Sequence, residues 1–517
     1  VSAPDVVIVG AGPCGAVAAL RFAQAGLSVV CLEQGDWPDA GVRPTWGDAE
    51  VAARGSASWS PEVRRARGDF PIAQEGSDVG VLAWNGVGGG TVQWGAQWER
   101  FVPSDFRVRT LDGVADDWPL TYAELEPYYD RLDRAFGLAA QPGDPAFPAP
   151  GGDPAYPPLP LMGAGERIAR AHNALGWHWW PGPNVLGPDA LPYRRGTRAS
   201  ADRTHWPAAL AAGVELITGA RVARVLADGR GGARATGVAW IDREGREHET
   251  RAPLVVLAAG AIGTARLLLL SDGPGHPDGL GNGSGLVGRR LMLHPFTRVA
   301  GLFDEDLGDP MPGWGQLVHC LEFTETDATK GFVRGAKWNL TGGFGPAIAA
   351  TFPWPGEPRW GAAIAEHTRA WYRRSAVWGI TADDLPDPAN RVVLDAAAPD
   401  ADGVPGVRVT YRTPPDAQRI LAYNVERATE SLRAAGATRV LAHPRLRDFG
   451  WHQLGTARMG DDGATSVVDR DSRLHEVPNV LVADASVFVT GSSLNPTATA
   501  CALALRAVER VLETRGA

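Results

Sequence analysis

Val6 to Val9 is an uninterrupted apolar, β-branched run, the pattern of a strand buried on both faces of a sheet. Gly10-Ala11-Gly12-Pro13-Cys14-Gly15 follows it, and an alanine-rich stretch to about Ala25 predicts a helix that Gly26 ends. Ser28 to Leu32 reads as a second buried strand. Strand, glycine turn, helix and strand within about thirty residues make a βαβ unit.

Farther along, the pattern from about Arg54 to Ala83 is irregular and polar, and Asn85 to Gly95 is a second glycine-rich segment. Leu120 to Phe136 has helical spacing, with Thr121 and Glu124 as a capping box. Gln141 to Pro160 is rich in proline and glycine and reads as a structureless surface connection. Val214 to Thr218, Val222 to Leu226 and Val238 to Ile241 predict short strands. Leu254 to Ala258 predicts another buried strand, leading through Ala259-Gly260-Ala261-Ile262-Gly263 into an amphipathic helix that reaches Leu270. Between about 296 and 447 the pattern is mixed, with alternating strands at Arg391 to Leu394 and Val407 to Arg412 and a long helix from Pro415 to Ala435. Val480 to Ala483 is again a buried strand, and Pro496 to Leu512 predicts the last helix. No fixed-period repeat interrupts this order.

Length and composition narrow the function classes. A chain of 517 residues exceeds one ordinary core and predicts two packed domains or one with insertions. Its 50 basic and 59 acidic side chains leave a net charge of −9, which argues against nucleic-acid and anionic-membrane partners. Cys14, Cys31, Cys320 and Cys501 form no close pair, so neither a zinc knuckle nor a dithiol site is indicated, and no metal is expected. A reducing cytoplasm fits that usage. The first strand begins near Asp5, which leaves no room for a signal peptide, and no apolar stretch has membrane-spanning length. Several of the 19 tryptophans cluster, at Trp177, Trp179 and Trp180 and at Trp354, Trp360, Trp371 and Trp378. Core packing is the default for such residues, and a sugar cleft lined by indole faces is the functional alternative.

The N-terminal glycines match a dinucleotide-binding fingerprint, with Glu33 eighteen residues after Gly15. Gly10 permits the tight turn, Gly12 lets the backbone approach a pyrophosphate, and Gly15 lets the helix pack closely on the sheet. The helix N-terminus then faces the phosphates. Glu33 is placed to accept hydrogen bonds from ribose hydroxyls, and an acid there disfavours a 2′-phosphate. The fingerprint alone does not separate FAD from NAD.

Trp451-His452-Gln453-Leu454-Gly455-Thr456-Ala457-Arg458-Met459-Gly460 and the stretch from Asn479 to Thr499 decide between them. His-x-x-Gly-Thr-x-Arg-Met-Gly, the Val-Ala-Asp-Ala-Ser strand end and Asn-Pro-Thr opening the last helix resemble the glucose-methanol-choline (GMC) oxidoreductase family. The order of motifs spans the whole chain. Gly-Gly-x-Thr-x-x-Trp from Gly88 and Phe-x-Pro-x-Asp-Phe from Phe101 look most like the branch of pyranose oxidases, gluconate dehydrogenases and glycoside oxidases.

The resemblance implies an α/β fold: a Rossmann-like FAD-binding domain built from residues 1–110, 201–295 and 448–517. A discontinuous α+β substrate domain at 296–447 and a connecting, substrate-side insertion at 111–200 complete it. It implies FAD as cofactor, and a base at His452 that takes the substrate hydroxyl proton as the carbon hydride moves to flavin N5; an imidazole suits that task. Asn495 is the second expected active-site residue, holding the substrate oxygen, although Asn before Pro is also an ordinary helix N-cap. The helix opening at Pro496 and Thr497 would favour negative charge at one edge of the ring. Asp484 and Ala485 are expected at the ribityl or pyrophosphate portion, where Asp484 could instead cap a turn. Gly88, Gly89, Thr91 and Gln93 are expected near the ring, and Pro13, Cys14, Gln34, Val222, Ala259 and Gly260 along the rest of the cofactor.

Some relatives tether the flavin through a histidine, but Gln93 occupies that position here, so the FAD is expected to be non-covalent. The implied substrate is a small-molecule alcohol, foremost a sugar or glycoside oxidised at a secondary hydroxyl, with oxygen or a quinone-like carrier as electron acceptor. Alternatives are a non-sugar alcohol dehydrogenase, a hydroxynitrile-type lyase that keeps FAD, and a flavin-binding subunit without catalysis. His294, before Pro295, reads as a turn residue, His367 as a residue of the substrate domain, and no other histidine has metal spacing.

Overall fold

The computed structural model describes residues 3–38, 70–149, 151–187, 198–228, 234–308, 316–342, 354–443, 445–447 and 449–516. The polar segment expected from about Arg54 lies outside them as far as residue 69.

The buried β-branched runs assemble as their pattern predicts. Five parallel strands lie in the order Val480–Val482, Leu254–Leu257, Val6–Val9, Val29–Glu33, Glu215–Thr218. Val6–Val9 is central, and all four of its side chains are buried, each contributing ~1.5–3 kcal/mol over exposure. A charge placed there would have no partner, which is why the run is unbroken. Helix Pro13–Gln24 follows the first strand and packs along the last helix, Thr497–Gly516. Arg21 makes a two-pronged ion pair with Glu509 across that contact. The first and last thirty residues of the chain are therefore one unit.

A second, antiparallel sheet follows a period of two. Its order is Arg439–Ala442, Phe296–Leu302, Ser375–Ala382, Ala336–Gly342, Val318–Cys320, Trp180–Pro181. Val299, Trp338, Leu340, Trp378 and Ile380 share one face and pack with Ile420, Leu421, Ala428 and Leu432 of helix Pro415–Ala434. The alternate positions of the strands, Lys337, Asn339 and His319, point the other way. Lys337 is fully buried on that face, and a buried ammonium must be paired.

The alternating segments at Arg391–Pro399 and Pro405–Thr410 do not join this sheet. They pair with each other and with Ile72–Ala73, and pack against helix Gly260–Leu270, where Arg266 donates to Asp400 at 2.7 Å and to the Pro405 carbonyl at 2.8 Å. Arg221–Asp228, Arg234–Ile241 and Glu247–Arg251 make a separate three-stranded antiparallel sheet. Its last strand has no hydrophobic alternation because it is a half-exposed edge, so the pattern could not announce it.

The capping box forms: the Thr121 N–H donates to Glu124 at 2.9 Å, and helix Tyr122–Phe136 follows. The proline- and glycine-rich connection is less free than its composition suggests. Leu159 is buried with Ala139 and Leu186, and Asp144 is fixed by two histidines. Trp354, Trp371 and Trp378 are buried in cores, Trp177 and Trp179 pack against one, and Trp360 is 84% exposed. Packing accounts for most of the tryptophan clusters. Among the described residues no helix is long and apolar enough to cross a membrane.

Candidate active site

The glycine positions show how a cofactor is accommodated. Gly10 has φ of +103°, and a side chain there would meet the Ala258 carbonyl oxygen at 2.5 Å. A Cβ on Gly15 would lie 2.0 Å from the Gly10 oxygen, so helix and strand touch only because it is absent. Gly12 differs, since its nearest neighbour would be the Gly89 Cα at 3.9 Å. Its missing side chain leaves room in the cleft instead of relieving a protein contact. Gly12 is also the N-cap of helix Pro13–Gln24, with no side-chain cap, so its first-turn N–H groups are left for an anion.

One cleft is walled by Gly10, Gly12, Pro13, Cys14, Glu33, Gln34, Gly89, Val222, Ala259, Gly260, Asp484, Ala485, Pro496 and Thr497, and it continues to Trp451, His452 and Gln453. The glycine cradle, the uncapped helix start and the acid at the strand end fit an adenine dinucleotide. Glu33 accepts from the Ala11 N–H at 2.8 Å and the Gly35 N–H at 2.9 Å. Burial raises its pKa, and these backbone donors oppose the rise. Asp484 serves both expected ends: it lines the cleft, and it accepts from Gly260 N, Thr264 Oγ1 and Ser486 N, capping the turn Ala485–Val487.

Of the four residues expected near the ring in the second glycine segment, Gly89 alone is in the cleft wall. Gly88 has φ of +98° and shapes the turn. Thr91 is tied to the Gly88 carbonyl at 2.5 Å and to Ala201 N at 3.0 Å. Gln93 is buried behind them. Trp84, Asn85 and Trp451 also line the cleft; Asn85 and Trp451 open the two quoted segments but were not expected as site residues, and Trp84 lies outside them.

His452 lies at the far end of the cleft, half-buried. Asn495 places its Nδ2 3.2 Å from His452 Nε2, and its Oδ1 accepts from Lys337 Nζ at 2.8 Å. Lys337 also donates to Gln97 Oε1 at 2.8 Å and pairs with buried Glu99. The Asn495 side chain is thus committed to His452 and Lys337, while the helix behind it begins at Thr497. Burial, reinforced by the Lys337 charge, pushes the His452 pKa down to about 3, so the imidazole is neutral near pH 7.

The reading of His294 as a mere turn residue needs correction. An antiparallel bridge sets Met292 opposite Leu454, with both N–H···O distances 3.0 Å. Two residues along, position 294 falls opposite position 452. His294 Nδ1 lies 3.0 Å from His452 Nδ1, with the rings edge to face at 86°. His294 has φ of +49°, and the Asp384 carboxylate holds that backbone by accepting from the N–H groups of Leu293 and His294. Sequence reasoning missed this pair because 158 residues separate its members. His367 by contrast pairs with Glu357 at 2.9 Å.

Asp144, His178 and His319 also converge, with candidate ligand atoms within 4.8 Å of one another. The Leu321 N–H donates to His178 Nδ1 at 3.0 Å, so His178 Nε2 holds the proton and donates to Asp144 at 2.9 Å. That tautomer makes the trio a hydrogen-bonded cross-link between the 141–160 connection and the six-stranded sheet.

Comparison with known proteins agrees with this geometry. Residues 164–296 and 386–504 match the N- and C-terminal family models for GMC oxidoreductase, and residues 5–45 match an FAD binding domain. The chain is 36% identical to 2-methyl-1,2-propanediol dehydrogenase of Mycolicibacterium austroafricanum, over 97% of its own length and 94% of the relative's. It is 32% identical to paromamine 6′-oxidase of Streptomyces fradiae, over 98% and 91%. In fold it is similar to the crystal structure of pyridoxine 4-oxidase from Mesorbium loti, with a TM-score of 0.66 at 18% identity and coverage of 98% and 99%. The chain belongs to the GMC oxidoreductase family, and it is an FAD-dependent oxidoreductase acting on CH–OH groups.

Proposed function

We propose that this enzyme oxidises a primary hydroxyl of a small polyol or sugar to the carbonyl, with His452 as the general base. The observation that carries this reading is the position of His452 at the end of the cofactor cleft, its Nε2 3.2 Å from the Asn495 amide. FAD bound along the cleft supplies the hydride acceptor. The substrate hydroxyl takes the place of the Asn495 N–H at His452 Nε2, which accepts the hydroxyl proton as the carbon gives up its hydride, and the released Asn495 amide donates to the substrate oxygen. Loss of that proton raises the electron density at the carbinol carbon, so the base at the O–H favours departure of hydride from the C–H of the same carbinol.

The two relatives named above support a primary carbon, where the sequence had suggested a secondary one. In 2-methyl-1,2-propanediol the carbon bearing the tertiary hydroxyl has no hydrogen to donate, so only the primary alcohol can be oxidised. The 6′ position in paromamine is the primary carbon of a hexose unit. A panel of diols, hexoses, aminoglycosides and their 6-deoxy counterparts, mixed anaerobically with the holoenzyme, tests the reading. Bleaching of the flavin by primary-alcohol members and its absence with the 6-deoxy compounds is the expected result. Equal bleaching by both would move the reaction to a secondary carbon. Reoxidation by air, or only by an added quinone, then distinguishes the two acceptors.

A further inference from the structure

Hydrogen-bond accounting assigns the proton positions of Lys337, Asn495, His452 and His294. The Lys337 ammonium has three donors and no acceptor. It spends them on Glu99, Gln97 and Asn495. The Asn495 atom facing Lys337 is therefore the carbonyl oxygen, and the NH₂ group is the one that faces His452. An NH₂ donor needs a lone pair, so His452 Nε2 is unprotonated. A neutral imidazole must then hold its proton on Nδ1, and the group 3.0 Å from that atom is His294 Nδ1, which has to accept. His294 in turn keeps its own proton on Nε2, which makes no hydrogen bond, the Asp384 carboxyl lying 3.9 Å away.

We propose that His294 is a positioning residue for this site, its Nδ1 accepting the Nδ1–H of His452 and holding His452 in the tautomer that presents a bare Nε2 to the substrate hydroxyl. The proposal rests on the reading of His452 as base. Without the acceptor at Nδ1, the proton of His452 is free to move to Nε2, where it would meet the Asn495 donor and leave nothing to take the substrate proton. With it, a proton arriving at Nε2 makes the Nδ1–H···Nδ1 bond charge-assisted. The ionisable groups facing the pair are Lys337, backed by Glu99, on the Nε2 side and, behind His294, Asp384, whose carboxyl burial pushes up to about 7. Asp384 is anchored by Leu293 N at 2.9 Å, His294 N at 3.1 Å and the Tyr411 hydroxyl at 2.5 Å, which sets the His294 ring against the cleft loop.

The test joins a spectroscopic and a kinetic readout on the holoenzyme. Nitrogen NMR of histidine-labelled wild type, assigned by comparison with His452→Ala, is expected to show His452 protonated at Nδ1 and bare at Nε2. A proton on Nε2 overturns the proposal, and this arm needs no variant at position 294. In anaerobic rapid mixing, His294→Leu is expected to reduce the flavin roughly a hundredfold more slowly, with KM little changed. His294→Asn restores most of the rate, because Oδ1 takes the place of Nδ1 and asparagine tolerates the positive φ. A His294→Leu enzyme that folds and reacts at the wild-type rate overturns the proposal. If His452→Ala also reacts normally, the base reading itself has failed; if only His294→Leu does, the base stands and the positioning role falls.

Discussion

Lys337 Nζ lies 2.8 Å from Asn495 Oδ1, so an ammonium from the six-stranded sheet orients an amide at the start of the last helix. The same ammonium is paired with Glu99 in full burial. Removing one partner strands a charge, which costs about 3–5 kcal/mol, whereas removing both is often close to neutral. Lys337→Met is therefore expected to be strongly destabilised, and Lys337→Met with Glu99→Gln much less so. Denaturant unfolding of the two single variants and the double variant checks this as a cycle. Additive losses would mean that the pair is not coupled.

Gly12 and Gly15 stand three residues apart and predict opposite defects. A methyl group at Gly15 would overlap the Gly10 oxygen at 2.0 Å, so Gly15→Ala is expected to lose stability by about 1–3 kcal/mol or more. A methyl group at Gly12 meets nothing closer than 3.9 Å, so the apoprotein should keep its melting temperature. It fills the space reserved for the cofactor, however, and FAD affinity should fall. Thermal melts of apoprotein and fluorescence titration with FAD separate the two effects. Unchanged FAD affinity in Gly12→Ala would remove that glycine from the cofactor site.

The His452 pKa of about 3 places its acid limb far below that of a free imidazole. The kcat/KM profile for flavin reduction should stay level from pH 7 to about 5, with no limb near the free-imidazole value, while the enzyme remains folded. A limb centred near 6.5 would show that the imidazole is not desolvated in the working enzyme. His205 and His172 are also depressed by burial, each to about 4, and His294 is held well below its ordinary value by burial beside His452. Their folded pKa values lie below the unfolded one, so the unfolded chain binds more protons between about pH 4 and 6.5. Stability is then full above pH 6.5 and falls as pH drops through that window, by about 1.4 kcal/mol per pH unit for each group. Asp105 and Asp384, raised to about 7 by burial, act in the opposite sense over pH 7 to 5, so the histidine part is read as the difference between wild type and His205→Phe. Wild type should lose more unfolding free energy over that range, and equal changes would contradict a buried neutral His205.

Gln93 predicts a flavin without a covalent tether. Acid precipitation of the holoenzyme should leave the yellow cofactor in the supernatant. Colour that stays with the pellet would point to attachment through another residue.

The cofactor half of the fold was legible because its sheet is parallel and buried on both faces, so each strand is written as a plain apolar run. Gly10, Gly12 and Gly15 were equally readable, since their spacing between a strand and a helix is a local pattern. Long-range pairings were not. His294 meets His452 only through the Met292–Leu454 bridge, and Lys337 reaches Asn495 only because a period of two turns it away from the apolar face. The hairpin of residues 391–410 showed its alternation but not its partner, which proved to be the helix after Gly260. A sequence states which face of a strand is apolar; what that face meets depends on the path of the rest of the chain.

The central claim is that His452 takes the substrate hydroxyl proton. Anaerobic rapid mixing of wild type and His452→Ala with a primary alcohol found active in the panel, read by flavin absorbance, tests it most directly. The account predicts bound flavin with an ordinary spectrum in the variant and reduction slowed by about 10²–10⁴. Reduction at the wild-type rate, with FAD still bound, would contradict it.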